Sequence, residues 1–332
     1  MRWSRELRIA GRGLRTALRA ASAMMSPPSA PGAPPGAPRA QSGALDAVAN
    51  FGANPGGLSM LTYAPPSLRS GAPLVVLLHG CGQEPASFAT ASGWTAMADR
   101  LGTALVLPTQ SPGNNRQRCF NWFRPAQIAR GQGEAQSIRA MVADAVRRFD
   151  SDRGAVFIVG LSAGGAMAVA MLAAYPDVFA AGASVAGLPV GAANGVASAL
   201  ARMAQAGPEH RSAEAWAELV RAAAPPSYQG PWPRLSIWHG ALDTVVDPAN
   251  AALLAEQWRA LHGLERARAT VTDHGLARQQ VWGAGPEPAV ELWTIPAMPH
   301  GYPAAAGATH ASAVLPAGIS ATERIARFWG LT

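Results

Sequence analysis

Runs of consecutive apolar residues alternate along this chain with stretches in which apolar residues recur every three or four positions. The first strong run, Pro73–His79 (PLVVLLH), reads as a strand buried on both faces. Ser87–Leu101 reads as a helix with Trp94, Met97, Ala98 and Leu101 on one side, and Thr103–Leu107 as a short strand ended by Pro108. Across Glu134–Phe149 the residues Ile138, Met141, Val142, Ala145, Val146 and Phe149 repeat at helical spacing, and Glu134 sits at the N-terminus, where the helix dipole favours an acid. The pattern continues with a strand over Ala155–Val159, a helix over Ala163–Tyr175 stopped by Pro176, and a strand around Ala180–Val185. Leu235–His239 and Val290–Ile295 read as strands, Ala249–Leu261 and Thr322–Trp329 as helices, and residues 188–232 as an insertion of helices and loops. There is no internal repeat. Repeated βα units predict an α/β fold, a mostly parallel central sheet flanked by helices on both faces. In such sheets sites lie beyond the carboxyl ends of the strands.

The 332 residues, 49% hydrophobic and 14% charged, suffice for one large domain. Residues 43–332 carry the predicted elements. Ahead of them lies SPPSAPGAPPGAP (26–38), a linker composition that builds no core. All 27 basic side chains are arginine, and the net charge of +7 is uneven. Residues 1–40 hold seven Arg and one acid; the rest hold 20 Arg against 19 acids. The body is thus nearly neutral, and the high isoelectric point is no argument for nucleic-acid binding by it. Within residues 1–22, arginines at 2, 5, 8, 12, 15 and 19 fall on one face and Trp3, Leu7, Leu14 and Leu18 on another. Two readings stay open for residues 1–42: an amphipathic segment for anionic surfaces, or a poorly ordered tail. The segment lacks the apolar centre of a secretory leader, and no run is long enough to span a membrane. With two cysteines and no HExxH or paired CxxC, no metal or other cofactor is expected.

The chemistry centres on Val159-Gly160-Leu161-Ser162-Ala163-Gly164-Gly165. A serine with glycines at −2 and +2, between a strand and a helix, is the pattern of a nucleophile elbow. The glycines are needed because strand and helix nearly collide there, and the turn presents Oγ while aiming helix NH groups at a developing oxyanion. Such an elbow is the mark of the α/β-hydrolase fold, whose acid and histidine follow in that order. Asp243 follows the 235–239 strand and His300 the 290–295 strand. Serine hydroxyl becomes a nucleophile when an imidazole takes its proton, and a carboxylate fixes the imidazole tautomer. We therefore expect Ser162 as nucleophile, His300 as general base and then acid, and Asp243 as orienting group. Asp247 is read as the N-cap of the 249 helix in place of a triad role. His274 and His310 are rivals to His300 but directly follow no clear strand; His262 ends a helix, His79 and His239 end strands as packing or loop-bonding residues, and His210 lies in the insertion. The oxyanion hole is expected from the NH groups of Ala163 and of the 79–83 loop, Cys81 first and Gly80 as the fallback. Trp282 and Trp293 are read as packing residues.

Taken together, LLHGCGQ (77–83), GWTAMADRLGTALVLPTQ (93–110), CFNWF (119–123), RGQGEAQSI (130–138), GLSAGGAMA (160–168) and HGALDTVV (239–246) resemble the polyhydroxybutyrate depolymerase-type esterases, with their feruloyl and acetylxylan esterase relatives. The resemblance covers about residues 55–330 and implies a serine esterase on an α/β-hydrolase fold that works through an acyl-enzyme. It also implies a disulfide between Cys81 and Cys119, an ester substrate, small or polymeric, and an extracellular or periplasmic location, with a cytoplasmic one as the alternative. Gln83 and Trp122 are carried over as substrate-binding residues, Trp122 with the equal alternative of plugging its loop. One departure is Ala297-Met298-Pro299-His300, where the family pattern reads Gly-x-Gly-His; Pro299 stiffens this loop. The substrate candidates are short-chain hydroxyalkanoate esters or their polymer, and feruloyl or acetyl esters. A non-catalytic surface-binding protein is the reading of another class.

Overall fold

The computed structural model describes residues 43–206, 211–307 and 311–332. The two readings of residues 1–42, and His210 and His310, lie outside the described residues. Ten strands form one sheet: β1 (Ala44–Val48), β2 (Ser59–Ala64), β3 (Leu74–Leu78), β4 (Ala104–Thr109), β5 (Val156–Leu161), β6 (Ala181–Val185), β7 (Arg234–Gly240), β8 (Thr270–Asp273), β9 (Arg278–Trp282) and β10 (Val290–Ile295). Their spatial order is β1-β2-β4-β3-β5-β6-β7-β10-β9-β8. The six strands from β4 to β10 run parallel, and antiparallel pairs flank them at both edges. A mostly parallel sheet is thus in place, of the α/β-hydrolase type.

The continuous apolar runs have a direct cause. Leu74, Val76 and Leu78 of β3 enter one core with Val156 and Ile158 of β5, while Val75 and Leu77 enter a second with Phe157 and Val159. Alternate residues face opposite sides, and both sides are covered by helices. On the first side lie α4 (Gly133–Phe149), α5 (Ala163–Ala174), α7 (Ala213–Arg221) and α8 (Ala249–Leu261). On the second lie α1 (Pro85–Ala91), α2 (Trp94–Leu101) and α9 (Ala321–Phe328). All twelve residues of α5 are buried, which is why it is apolar all round. Short α3 (Pro125–Ile128) precedes α4, and α6 (Val196–Ala204) joins α7 in the segment between β6 and β7.

Three sequence expectations change in detail. The single helix over 87–101 is two, because the Ser92 hydroxyl donates back to Phe88 O and Gly93 turns to φ +84°. The strand expected to stop before Pro108 runs on to Thr109; β3 pairs only with residues 104–106, so Pro108 stands beyond that ladder and pairs with Met60 of β2. The edge strands were not expected: β1 and β8 are almost wholly exposed, and β2 and β9 carry mixed patterns. A small ribbon after β10 pairs β11 (Tyr302–Ala304) with β12 (Val314–Pro316).

Candidate active site

Ser162 stands between β5 and α5 with φ 58° and ψ −118°. Such a conformation costs on the order of 1–3 kcal/mol in a non-glycine residue and persists only where the surroundings enforce it. Here the Ser162 NH donates to Val185 O at 2.8 Å and its carbonyl accepts from the Ala166 NH at 2.9 Å. A Cβ on Gly160 would lie 2.2 Å from Gly164 O, and one on Gly164 2.3 Å from Leu78 O. Both glycines of the elbow are therefore required by close approach of strand and helix.

Asp243 lies in the turn after β7, with its side chain fully buried. Its Oδ1 accepts the NH groups of Val245 (2.8 Å) and Val246 (2.9 Å). Its Oδ2 accepts from His300 Nδ1 at 2.7 Å. His239 Nε2 is 3.1 Å from the same Oδ2. Burial alone would raise the Asp243 carboxyl, but the hydrogen bonds from His239 and His300, with their charge, hold it well below the usual carboxylate range. The structure thus brings Asp243 and His300 together. Among the described residues, neither Ser162 Oγ nor His300 Nε2 has a hydrogen-bond partner. The other expected histidines go elsewhere: His274 Nε2 meets Gln279 and its ring lies on Trp293, and His262 meets Pro233 O. Asp247 accepts the Ala249 NH at the start of α8 and the Ala206 NH with its other oxygen.

The loop after β3 is braced on every side. The Gly80 NH donates to Gln83 Oε1 at 2.6 Å, and Gln83 Nε2 donates to Ser312 O. This removes Gly80 as the fallback oxyanion donor. Both polar atoms of the Gln83 amide are spent on backbone, and the residue is buried. Arg118 donates to Gly82 O at 2.6 Å, and Cys81 is disulfide-bonded to Cys119 with 4.2 Å between Cα atoms. Among the described residues no hydrogen bond engages the NH of Cys81 or Ala163.

A third apolar cluster joins these parts. Trp122, Ala163, Ala166, Leu188, Ala199 and Val246 pack together, with Cys81, Cys119 and Phe123 against them. The disulfide loop, the start of α5, α6 and the turn of Asp243 therefore share one packing unit. Trp122 is 7% exposed and meets Phe123 edge-on.

Two parts of this site were not expected from the chain. Glu134, at the start of α4, is fully buried; its Oε1 accepts from Gln110 Nε2 and Asn121 Nδ2, and its Oε2 from the Asn121 NH. Burial raises its pKa despite these bonds. It fixes the 119–123 loop, a role beyond the helix-dipole placement expected of it. His239 was read as a packing or loop-bonding residue, and its reach to Asp243 has no local signature. Among the described residues no cluster of ligating side chains suited to a metal is present.

Comparison with known proteins shows the family. The family described as esterase PHB depolymerase matches residues 58–315. Poly(3-hydroxyalkanoate) depolymerase C of Paucimonas lemoignei is 39% identical over 295 residues, 87% of this chain and 70% of that protein. An acetylxylan esterase of Coprinopsis cinerea is 33% identical, covering 78% of this chain and 69% of the relative. Feruloyl esterase B of Neurospora crassa is 34% identical, over 68% and 77%. The solved acetyl xylan esterase from Aspergillus awamori superposes with a TM-score of 0.74 over 87% of this chain and all of that one, at 24% identity, which speaks for the fold. With the elbow, the Asp243–His300 pair and this match over most of its length, the chain belongs to the esterase PHB depolymerase family.

Proposed function

We propose that residues 43–332 form a serine esterase whose substrates are short-chain hydroxyalkanoate esters. The observation that carries this reading is the 2.7 Å bond from His300 Nδ1 to Asp243 Oδ2, in a turn that packs through Val246 against Ala163, the residue after the strained Ser162. Ser162 Oγ attacks the ester carbonyl as His300 Nε2 takes its proton, and the tetrahedral oxyanion lies against the NH groups of Cys81 and Ala163. The same imidazole, now protonated, gives its proton to the departing alkoxide. Water then repeats the sequence on the acyl-enzyme and releases the acid. The Ser–His hydrogen bond forms as substrate enters, since catalytic contacts of this kind are commonly made only in the substrate complex. Trp122 and Leu188, in the cluster around Ala163, would wall the acyl side. Gln83 serves by bracing the oxyanion loop.

The substrate class follows the Paucimonas relative, which has the highest identity to this chain among those named above. The acetylxylan and feruloyl relatives favour a second reading, acetyl or feruloyl esters of plant polysaccharide. The Cys81–Cys119 disulfide suits an oxidising compartment, so we place the enzyme outside the cytosol. Turnover of p-nitrophenyl butyrate by the wild type and by Ser162→Ala tests the chemistry, and full activity in the variant would reject it. A panel of 3-hydroxybutyrate oligomers, methyl ferulate and acetylated xylan separates the two substrate classes by kcat/KM.

A further inference from the structure

His239 ends β7 and is 3% exposed, so water does not serve its ring. Its Nε2 lies 3.1 Å from Asp243 Oδ2 and 3.0 Å from Val246 O. Both neighbours are acceptors, so Nε2 carries the proton and His239 donates. Asp243 therefore has four N–H groups within 3.1 Å: two backbone NH groups on Oδ1, His300 on Oδ2, and on Oδ2 again the His239 Nε2 proton, which it shares with Val246 O.

The division of these donors matters. Both NH groups of the turn hold Oδ1, leaving the carboxylate able to pivot about that oxygen. Without His239, Oδ2 would be held only by His300, the group it has to orient. A second donor on Oδ2, rooted in the central sheet, sets the carboxylate independently of the base. The root is firm: Trp238, the preceding residue, stacks on Trp293 of β10 at 4.6 Å and 7°. His239 itself pairs in register with Thr294 of β10, the strand that leads into the loop of His300.

We propose that His239 is a positioning residue for ester hydrolysis, a second imidazole that fixes Asp243 Oδ2 so that the carboxylate holds His300 in its working orientation. The inference rests on the reading of Ser162, Asp243 and His300 as the triad. His239 touches no substrate and exchanges no proton in the reaction. Its effect is transmitted through Asp243 alone.

The test uses the full chain and p-nitrophenyl butyrate. Gln at 239 extends an amide NH to about the place of Nε2, Asn is too short to reach it, and Phe fills the volume with no donor. His239→Phe and His239→Asn are expected to lower kcat by about 10- to 100-fold, the range that misplacement of a catalytic group commonly costs. KM should stay within about 3-fold, and His239→Gln should recover most of kcat. In an Asp243→Asn background, His239→Phe should change kcat by no more than about 3-fold, because the carboxylate it positions is gone. If the Phe variant does not fold, the comparison of Asn with Gln decides. The proposal is overturned if folded Phe or Asn variants keep wild-type kcat. It is equally overturned if Gln loses as much as Asn, or if the full loss persists on Asp243→Asn. Ser162→Ala, run in parallel, separates the two ideas: a dead Ser162→Ala enzyme beside an unaffected His239→Asn enzyme rejects the positioning role alone.

Discussion

The NH of Leu242 donates to the carbonyl of Met298 at 3.0 Å, so the turn carrying Asp243 and the loop carrying His300 are joined through their backbones. Ala241 NH adds a bond to Ile295 O at 2.9 Å. Gly240 lets the two segments pass: a Cβ there would lie 2.1 Å from Met298 O and 2.8 Å from Pro299 O. Gly240→Ala is thus expected to push the His300 loop off the acid turn. It should cost about 1–3 kcal/mol of stability, as overpacking against backbone does. It should also lower kcat more than it changes KM. Thermal melts with steady-state kinetics on a soluble ester check this, and an alanine variant with wild-type kcat would show that the loops are not so clamped.

Asp243→Asn keeps the shape but cannot hold the charged imidazole. In Ser–His–Asp enzymes generally such a change costs on the order of 10⁴ in kcat through the wrong histidine tautomer, and we expect a loss of that order here. Folding should survive at neutral pH, since an amide oxygen can still accept the NH groups of Val245 and Val246 now on Oδ1. Circular dichroism and pre-steady-state release of p-nitrophenol read the two effects separately.

What the chain reveals about itself divides along physical lines. Central strands were legible because both faces are buried, which demands unbroken apolar runs such as Leu74–Leu78 and Val156–Leu161. The elbow was legible because its two glycines answer a local steric demand. The edge strands β8 and β9 were not, since exposed residues such as Thr270 and Arg278 carry no period-two signal. The roles of Gln83, Glu134 and His239 were hidden for another reason. Their partners lie far along the chain or across a turn, at Ser312, Gln110 and Asn121, and Asp243, and no spacing rule reports such contacts.

Gln83 ties the oxyanion loop to Ser312, in the turn that leads into β12 of the ribbon after His300. Gln83→Leu would leave the Gly80 NH and Ser312 O without these partners. Removing one side of a buried hydrogen bond costs about 1–3 kcal/mol. The proposed donor at Cys81 would also lose its fixed direction, so we expect kcat to fall about 10- to 100-fold, with KM little changed. Transition-state analogue binding, compared with substrate binding, measures this; equal weakening of both would assign Gln83 to substrate contact instead.

The disulfide closes a loop across 38 positions of sequence. In the chain-entropy description such a link contributes about 4 kcal/mol, less whatever strain it carries. Cys81→Ser with Cys119→Ser should therefore lower the melting temperature by several degrees. It should also lower kcat, because Cys81 lies in the proposed oxyanion loop and Cys119 leads into Trp122. Dithiothreitol on the wild type should reproduce both changes and leave the double variant unaffected; loss of stability with full kcat would confine the link to folding.

His79 gives a pH dependence of defined sign. Burial pushes its imidazole down to about 4, against partial relief from its bond to Gly80 O. Nδ1 meets Gly80 O at 2.8 Å and Nε2 accepts the Gln110 NH at 3.2 Å, so the native ring is neutral with its proton on Nδ1. Between about pH 6.5 and pH 4 the unfolded chain binds a proton at this site that the native protein refuses, and stability must fall as pH falls. The loss by pH 4 is on the order of 3 kcal/mol, after which this site adds no further slope. The depressed Asp243 carboxyl adds a loss that begins in the ordinary carboxylate range and lies mostly below this window; it is common to variant and wild type. His262, also lowered by burial, adds a slope of the same sign, so the measurement compares variant with wild type. Urea denaturation at pH 7, 6, 5 and 4 should show a shallower fall for His79→Gln, and identical falls would mean that His79 keeps its ordinary titration in the folded protein.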